Sequence, residues 1–211
     1  MNEPSAKSRG RPRQAAADEK EMRERIAAVA RELFLREGVD AVSMRNIASE
    51  VGCSPMWLYR YFDNKQEILW HVWDMILDEL FDRLGQIKTR SPRARLEKLA
   101  LCYLDYWLEY PERFLIVFLQ PDLEQGATRS YVENSDRLKY FDLFTHTVEK
   151  AQAQGELGSS NAASVAQGLM CVLQGLALNF ITISDYPWAD IASLKRLTVK
   201  SYLSGLASSD S

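Results

Sequence analysis

Apolar residues in the first third of the chain recur at helical spacing. Ile26, Val29, Ala30, Leu33 and Phe34 follow the i, i+3, i+4, i+7, i+8 pattern of one helix face, and Gly38 sits where a left-handed residue would close that helix. The pattern predicts a first helix over residues 18–37. Ser43 is a good N-cap for a second, whose inner face is Met44, Ile47, Ala48 and Val51 before Gly52 breaks it. Ser54 and Pro55 repeat the start signal, because a proline's missing N–H costs nothing in a first helical turn. Two short helices joined by a tight turn are therefore expected. Asn64 and Glu67 have capping-box spacing. The stripe Ile68, Leu69, Val72, Trp73, Ile76, Leu77, Leu80, Phe81 and Leu84 then predicts a helix over residues 65–84, about 30 Å long.

The same grammar continues to the end of the chain. Ser91 and Pro92 open a helix to residue 109, Pro111 opens a short one, and residues 121–126 read as a loop. Three further helices are predicted over residues 128–154, 160–184 and 188–206, and no alternating pattern suggests a strand. The expected fold is all-α, with about nine helices. Its parts are a flexible basic arm (1–17), a three-helix domain with a helix-turn-helix (18–65) and a larger helical domain (66–211), with the 65–84 helix linking the two.

Composition narrows the class. With 46% apolar and 26% charged residues in 211, the chain can bury a core. Its longest apolar stretches are broken by Asp, Glu, Gln or Asn, and its first residues are polar and basic, so a cytoplasmic protein with no membrane partner is expected. Cys53, Cys102 and Cys171 form an odd, widely spaced set, expected to be reduced and mostly in the core. The net charge of −3 conceals a gradient, +2 over residues 1–65 and −5 over the rest. Attraction for a polyanion belongs to the front of the chain.

Residues 43–65, SMRNIASEVGCSPMWLYRYFDNK, are the most informative stretch. Helical spacing lets Ile47, Ala48, Val51, Leu58 and Phe62 face inward and leaves Arg45, Pro55, Met56, Trp57, Tyr59, Arg60 and Tyr61 facing out. A DNA major groove gives such a surface a use: phenols and Arg donate to phosphates, Arg pairs with guanine, and apolar groups pack on thymine methyls. On periodicity alone, a hairpin of an ordinary helical bundle with these aromatics in its core also fits.

Together Leu33, Phe34, Gly38, Ser43, Ile47, Ala48, Gly52, Ser54, Leu58, Tyr59, Tyr61, Phe62 and Lys65 resemble the TetR family of transcription regulators. The resemblance implies that Arg45, Pro55, Met56 and Trp57 read bases and that Tyr59, Tyr61 and Lys65 hold phosphates, with Ser54 and Arg60 completing the DNA-contact set. Lys65 has a further reason, since the free N–H groups of a helix N-terminus attract a phosphate. Met56 and Trp57 depart from the small residue and Thr or Ala frequent in the family, so no operator sequence can be borrowed. In the arm, Arg9, Arg11 and Arg13 around Gly10 and Pro12 look like an AT-hook core suited to a narrow minor groove; a generic basic tail is the alternative.

The remainder carries no Gly-rich phosphate loop, no zinc-protease or nucleophile-elbow motif, and only His71 and His146, so no catalytic site, metal or cofactor is expected. It is dense in aromatics, among them Trp70, Tyr106, Tyr110, Phe114, Tyr140 and Phe141, which suit either a core or a ligand pocket. The family resemblance implies an effector cavity, with Trp73, Tyr103, Trp107, Phe118, Phe144 and His146 as candidate wall. It also implies a homodimer through helices eight and nine, where Ala163, Ala166, Gly168, Cys171, Gly175 and Ala177 interleave with leucines. The expected function is a ligand-responsive, sequence-specific regulator: a repressor released from operator DNA by a small hydrophobic effector. A helical scaffold whose helix-turn-helix binds protein is the alternative.

Overall fold

The computed structural model describes residues 11–120 and 141–206, with side chains from residue 17. Nine α-helices and no strands occur among these residues: α1 (Arg11–Glu37), α2 (Met44–Val51), α3 (Pro55–Leu58), α4 (Lys65–Gly85), α5 (Pro92–Glu109), α6 (Pro111–Phe118), α7 (Asp142–Ala153), α8 (Ala162–Thr182) and α9 (Ile191–Ser204). They divide into two compact units, the first ending at Met75 and the second beginning at Ile76, inside α4.

Unit one is built on the apolar stripe of α1. Ile26, Ala30, Leu33 and Phe34 are buried with Ile47, Ala48, Leu58, Phe62 and Val72. The first helix begins at Arg11, so residues 11–17, expected in a flexible arm, are helical. Pro12 is tolerated within a first turn, and the run Ala15, Ala16, Ala17 has the highest helix propensity available. Gly38 ends α1 at φ 83°, a conformation that a side chain resists, and its N–H donates to the Phe34 carbonyl at 3.0 Å.

Unit two is organised around α5, which packs against α6, α7, α8 and α9, while α7 also packs on α8. Ser91 caps α5, accepting from the Ala94 N–H at 3.1 Å. Glu156, after the left-handed Gly155, accepts from the Arg93 N–H at 2.7 Å and the Ser91 hydroxyl at 3.0 Å, tying the α7–α8 link to the start of α5. The last helix starts at Ile191 and not near residue 188. Asp190 is the working cap, accepting from the Ser193 N–H at 2.8 Å, while Trp188 donates to the Ile183 carbonyl and packs on Phe180. The expected loop at 121–126, the first part of the 128–154 helix and Tyr140 lie outside the described residues.

Among the described residues, α8 is the one helix long and apolar enough to cross a membrane. Its buried face (Val165, Leu169, Leu173, Ala177) is opposed by Gln167 and Asn179, both exposed, which is the pattern of a bundle helix. The cysteines depart from expectation: Cys53 and Cys102 are half-buried and Cys171 is exposed, because it falls on the outer face of α8.

Candidate nucleic-acid interface

A tight turn sets the geometry of α2 and α3. Ser43 caps α2 in a reciprocal box, its hydroxyl accepting from the Asn46 N–H at 3.2 Å while the Asn46 side chain accepts from the Ser43 N–H at 3.0 Å. Gly52 closes α2 at φ 80°, and the next N–H, of Cys53, reaches back to the Ala48 carbonyl at 2.9 Å. Only Gly52, Cys53 and Ser54 separate the helices. Ser54 then starts α3, accepting from the Trp57 N–H at 3.2 Å, with Pro55 in the first turn. Buried Ile47, Ala48 and Leu58 anchor this hairpin to unit one.

With Leu58 inward, the opposite side of α3 must face out. Met56 is 82% exposed and Tyr59 51% exposed, and Ser54, Pro55, Arg60 and Arg45 are exposed beside them. Trp57 and Tyr61 are half-buried and pack on each other with ring centroids 4.7 Å apart, so they stiffen the end of α3 while keeping one edge outside. The Lys65 ammonium donates to the Val39 carbonyl at 2.9 Å, which pins the start of α4 to the α1–α2 link and leaves two N–H donors. Ser54, through its cap bond, also serves the fold first. Burial pushes the Cys53 thiol up, against the pull of Arg25, so the turn carries a neutral thiol.

Sequence reasoning missed Arg23. From α1 it donates to the Tyr61 carbonyl, lies 4.2 Å from the Phe62 ring centroid and pairs with Glu67 at 3.5 Å. Glu67 in turn accepts from the Asp63 N–H at 2.7 Å, and its own N–H donates to Asn64 at 2.8 Å. One arginine thus locks the α3–α4 junction to α1. Nothing local announces it, because Arg23 precedes the apolar stripe and its partners lie about forty residues on, the Tyr61 carbonyl 38 residues away. Arg11 and Arg13 stand in the first turn of α1 and not in an extended arm, and Arg9 lies outside the described residues. A helix about 10–12 Å across cannot enter a minor groove about 6 Å wide, so the AT-hook reading requires that turn to unwind.

The candidate effector residues divide differently. Tyr103, Trp107 and Phe144 are buried together in unit two, with the Tyr103 ring 5.9 Å from Trp107 and 6.3 Å from Phe144, and Phe118 meets Trp107 edge-on at 5.3 Å. Trp73 is buried in α4 within unit one. His146 is not with them: its side chain is 62% exposed and bonds to Glu149 at 3.3 Å, because the inward positions of α7 go to Phe144, Thr147 and Val148. Among the described residues, no three His, Cys, Asp or Glu side chains cluster as metal ligands.

Residues 26–72 match the family model of bacterial regulatory proteins, tetR family. An HTH-type transcriptional regulator of Staphylococcus aureus (strain USA300) is 41% identical over 93 residues, 44% of this chain and 49% of the relative, so the chain spans about half the length of the curated relative it matches. A Rhodococcus sp. RHA1 protein of unknown function shares the fold with a TM-score of 0.74 at 24% identity, covering 88% of this chain and 95% of the other. A TetR transcription regulator from Haloarcula marismortui superposes with a TM-score of 0.73 at 18% identity, covering 90% of this chain and all of the other. At these identities the two structures speak for the fold alone. The helix-turn-helix, the match over residues 26–72 and the shared helical architecture agree, and over that stretch the chain is similar to the tetR family of bacterial regulatory proteins.

Proposed function

We propose that the chain is a cytoplasmic, sequence-specific DNA-binding transcription regulator, a homodimeric repressor released from its operator by a small hydrophobic effector. The observation that carries the reading is the outward face of α3. Met56 and Tyr59 are held in water by a helix whose other side is locked by Leu58, and Arg45 and Arg60 flank them. Water gives such a face no stabilisation, whereas a major groove offers thymine methyls, guanine acceptors and phosphates at that scale. Arg45, Pro55, Met56 and Trp57 take the base-reading role; Ser54, Tyr59, Arg60, Tyr61 and Lys65 take phosphates. Arg9, Arg11 and Arg13 add positive charge for the same polyanion.

Large apolar side chains on unit two support the dimer. Leu178, Ile183, Tyr186 and Leu197 are 38–63% exposed, and all belong to α8, α9 or their link. Exposed apolar side chains of this size suit an association surface, and two-fold pairing supplies the second half-site that one small helix-turn-helix needs for useful specificity. The switch requires an effector that binds the DNA-incompetent arrangement better than the competent one; by linkage, DNA then weakens the effector by the same factor. Gel-shift titration of the full chain against genomic fragments tests the reading. Binding confined to particular fragments and weakening steeply with salt supports it; salt-insensitive or absent binding by folded protein favours a protein-binding scaffold.

A further inference from the structure

Two donors in the core of unit two lack a hydrogen bond of good geometry. The Tyr103 hydroxyl and the Trp107 Nε1–H are fully buried, and the groups within reach, each other and Gln174, stand in poor hydrogen-bond geometry. They lie one turn apart on α5, so they share a face. The contrast with Tyr106 on the same helix is direct: its hydroxyl donates to the Ile76 carbonyl at 3.1 Å and accepts from Arg113 at 3.0 Å. A buried donor without a partner carries its full desolvation cost, and proteins retain few of them without a reason.

The polar groups beside the Tyr103 hydroxyl are the Trp107 indole and the Gln174 side chain of α8. Gln174 also lines a cavity of about 420 Å³ between α7 and α8, whose wall includes Phe141, Thr145, Ala166, Met170 and Cys171. Among the described residues, Asp142 is its charged lining residue, and no Lys or Arg lines it. An anion placed there would lie beside the Asp142 carboxylate with no counter-charge among the described residues, which is unfavourable. An oxygen acceptor on an apolar body meets no such penalty.

We infer that unit two takes an uncharged, predominantly aromatic or polycyclic ligand bearing a carbonyl-type oxygen, which accepts from Tyr103 and Trp107 after entry past Gln174. This inference rests on the proposed effector role of unit two and specifies its chemistry. Three probes of one size test it by titration calorimetry on the full chain: 2-acetylnaphthalene, naphthalene and 2-naphthoate. The ketone is expected to bind at least about tenfold more tightly than the other two, the equivalent of one hydrogen bond to each donor. Tyr103→Phe is expected to remove most of the ketone's advantage while leaving naphthalene within about twofold, and Trp107→Phe to do the same if Tyr103→Phe folds poorly. Tightest binding of naphthoate, no binding of any probe, or an undiminished ketone preference in both variants overturns the inference. Adding the ketone to a preformed DNA complex separates the two readings: a ketone preference that depends on Tyr103 while DNA stays bound keeps this site and removes the effector role.

Discussion

Met56 stands at the tip of α3 with almost all of its surface in water, and the helix-turn-helix leaves its thioether nothing to pack on. Met56→Ala and Arg45→Ala are therefore expected to change which base is preferred, with a penalty of about 1–3 kcal/mol at one position for the arginine. Tyr59→Phe and Lys65→Ala are expected to weaken binding to all DNA alike and to flatten the salt dependence by about one counterion for the lysine. Specificity profiles from competition binding distinguish these outcomes, and indistinguishable profiles for the four variants would defeat the assignment. Lys65→Ala alone among them also lowers the melting temperature, because the bond to Val39 is lost. Tyr103→Phe makes the opposite case. Its hydroxyl has no well-formed hydrogen bond to lose, so thermal melts of the ligand-free protein are expected to show unchanged or raised stability. At this scale the caps and turn residues were legible: Ser43, Gly52, Ser54 and Gly38 act on neighbours within a few positions. Arg23 and His146 were not, since their surroundings are set by tertiary packing.

Elements follow the same division. The α2–α3 hairpin is specified by local signals, and Gly52→Ala is expected to cost about 1 kcal/mol because its φ of 80° burdens any side chain. Leu58→Ala empties a fully buried position and is expected to cost about 2–5 kcal/mol, measured by denaturant titration, with loss of DNA binding once the hairpin loosens. Arg23→Ala spares the core. It is expected to cost about 1–2 kcal/mol and to lower affinity for all sequences, since it frees the α3–α4 junction without touching a base-reading side chain. Helix boundaries were read well where a cap is unopposed, as at Ser43 and Ser91. They shifted where signals compete. Alanine propensity carried α1 back to Arg11 through a stretch whose Gly, Pro and Arg content suggested an arm, and Asp190 captured the start of α9 from Pro187.

For the whole molecule, the proposed function requires two copies of this chain to read DNA together. Leu197→Glu puts a charge on the exposed apolar face of α9 and is expected to shift sedimentation from dimer to monomer and to reduce operator affinity in parallel. The N-terminal resemblance was legible because its residues are close in sequence; the proposed partner surface and effector site depend on which faces of distant helices remain uncovered, and periodicity alone does not say that. The most direct measurement is selection of bound duplexes from a random DNA library by the full-length protein. Enrichment of an inverted repeat, its half-sites about 10 base pairs apart centre to centre and its preference altered by Arg45→Ala, is the expected result. Recovery of unenriched sequence, or of a motif that neither repeats nor responds to changes in α2 and α3, would contradict the account.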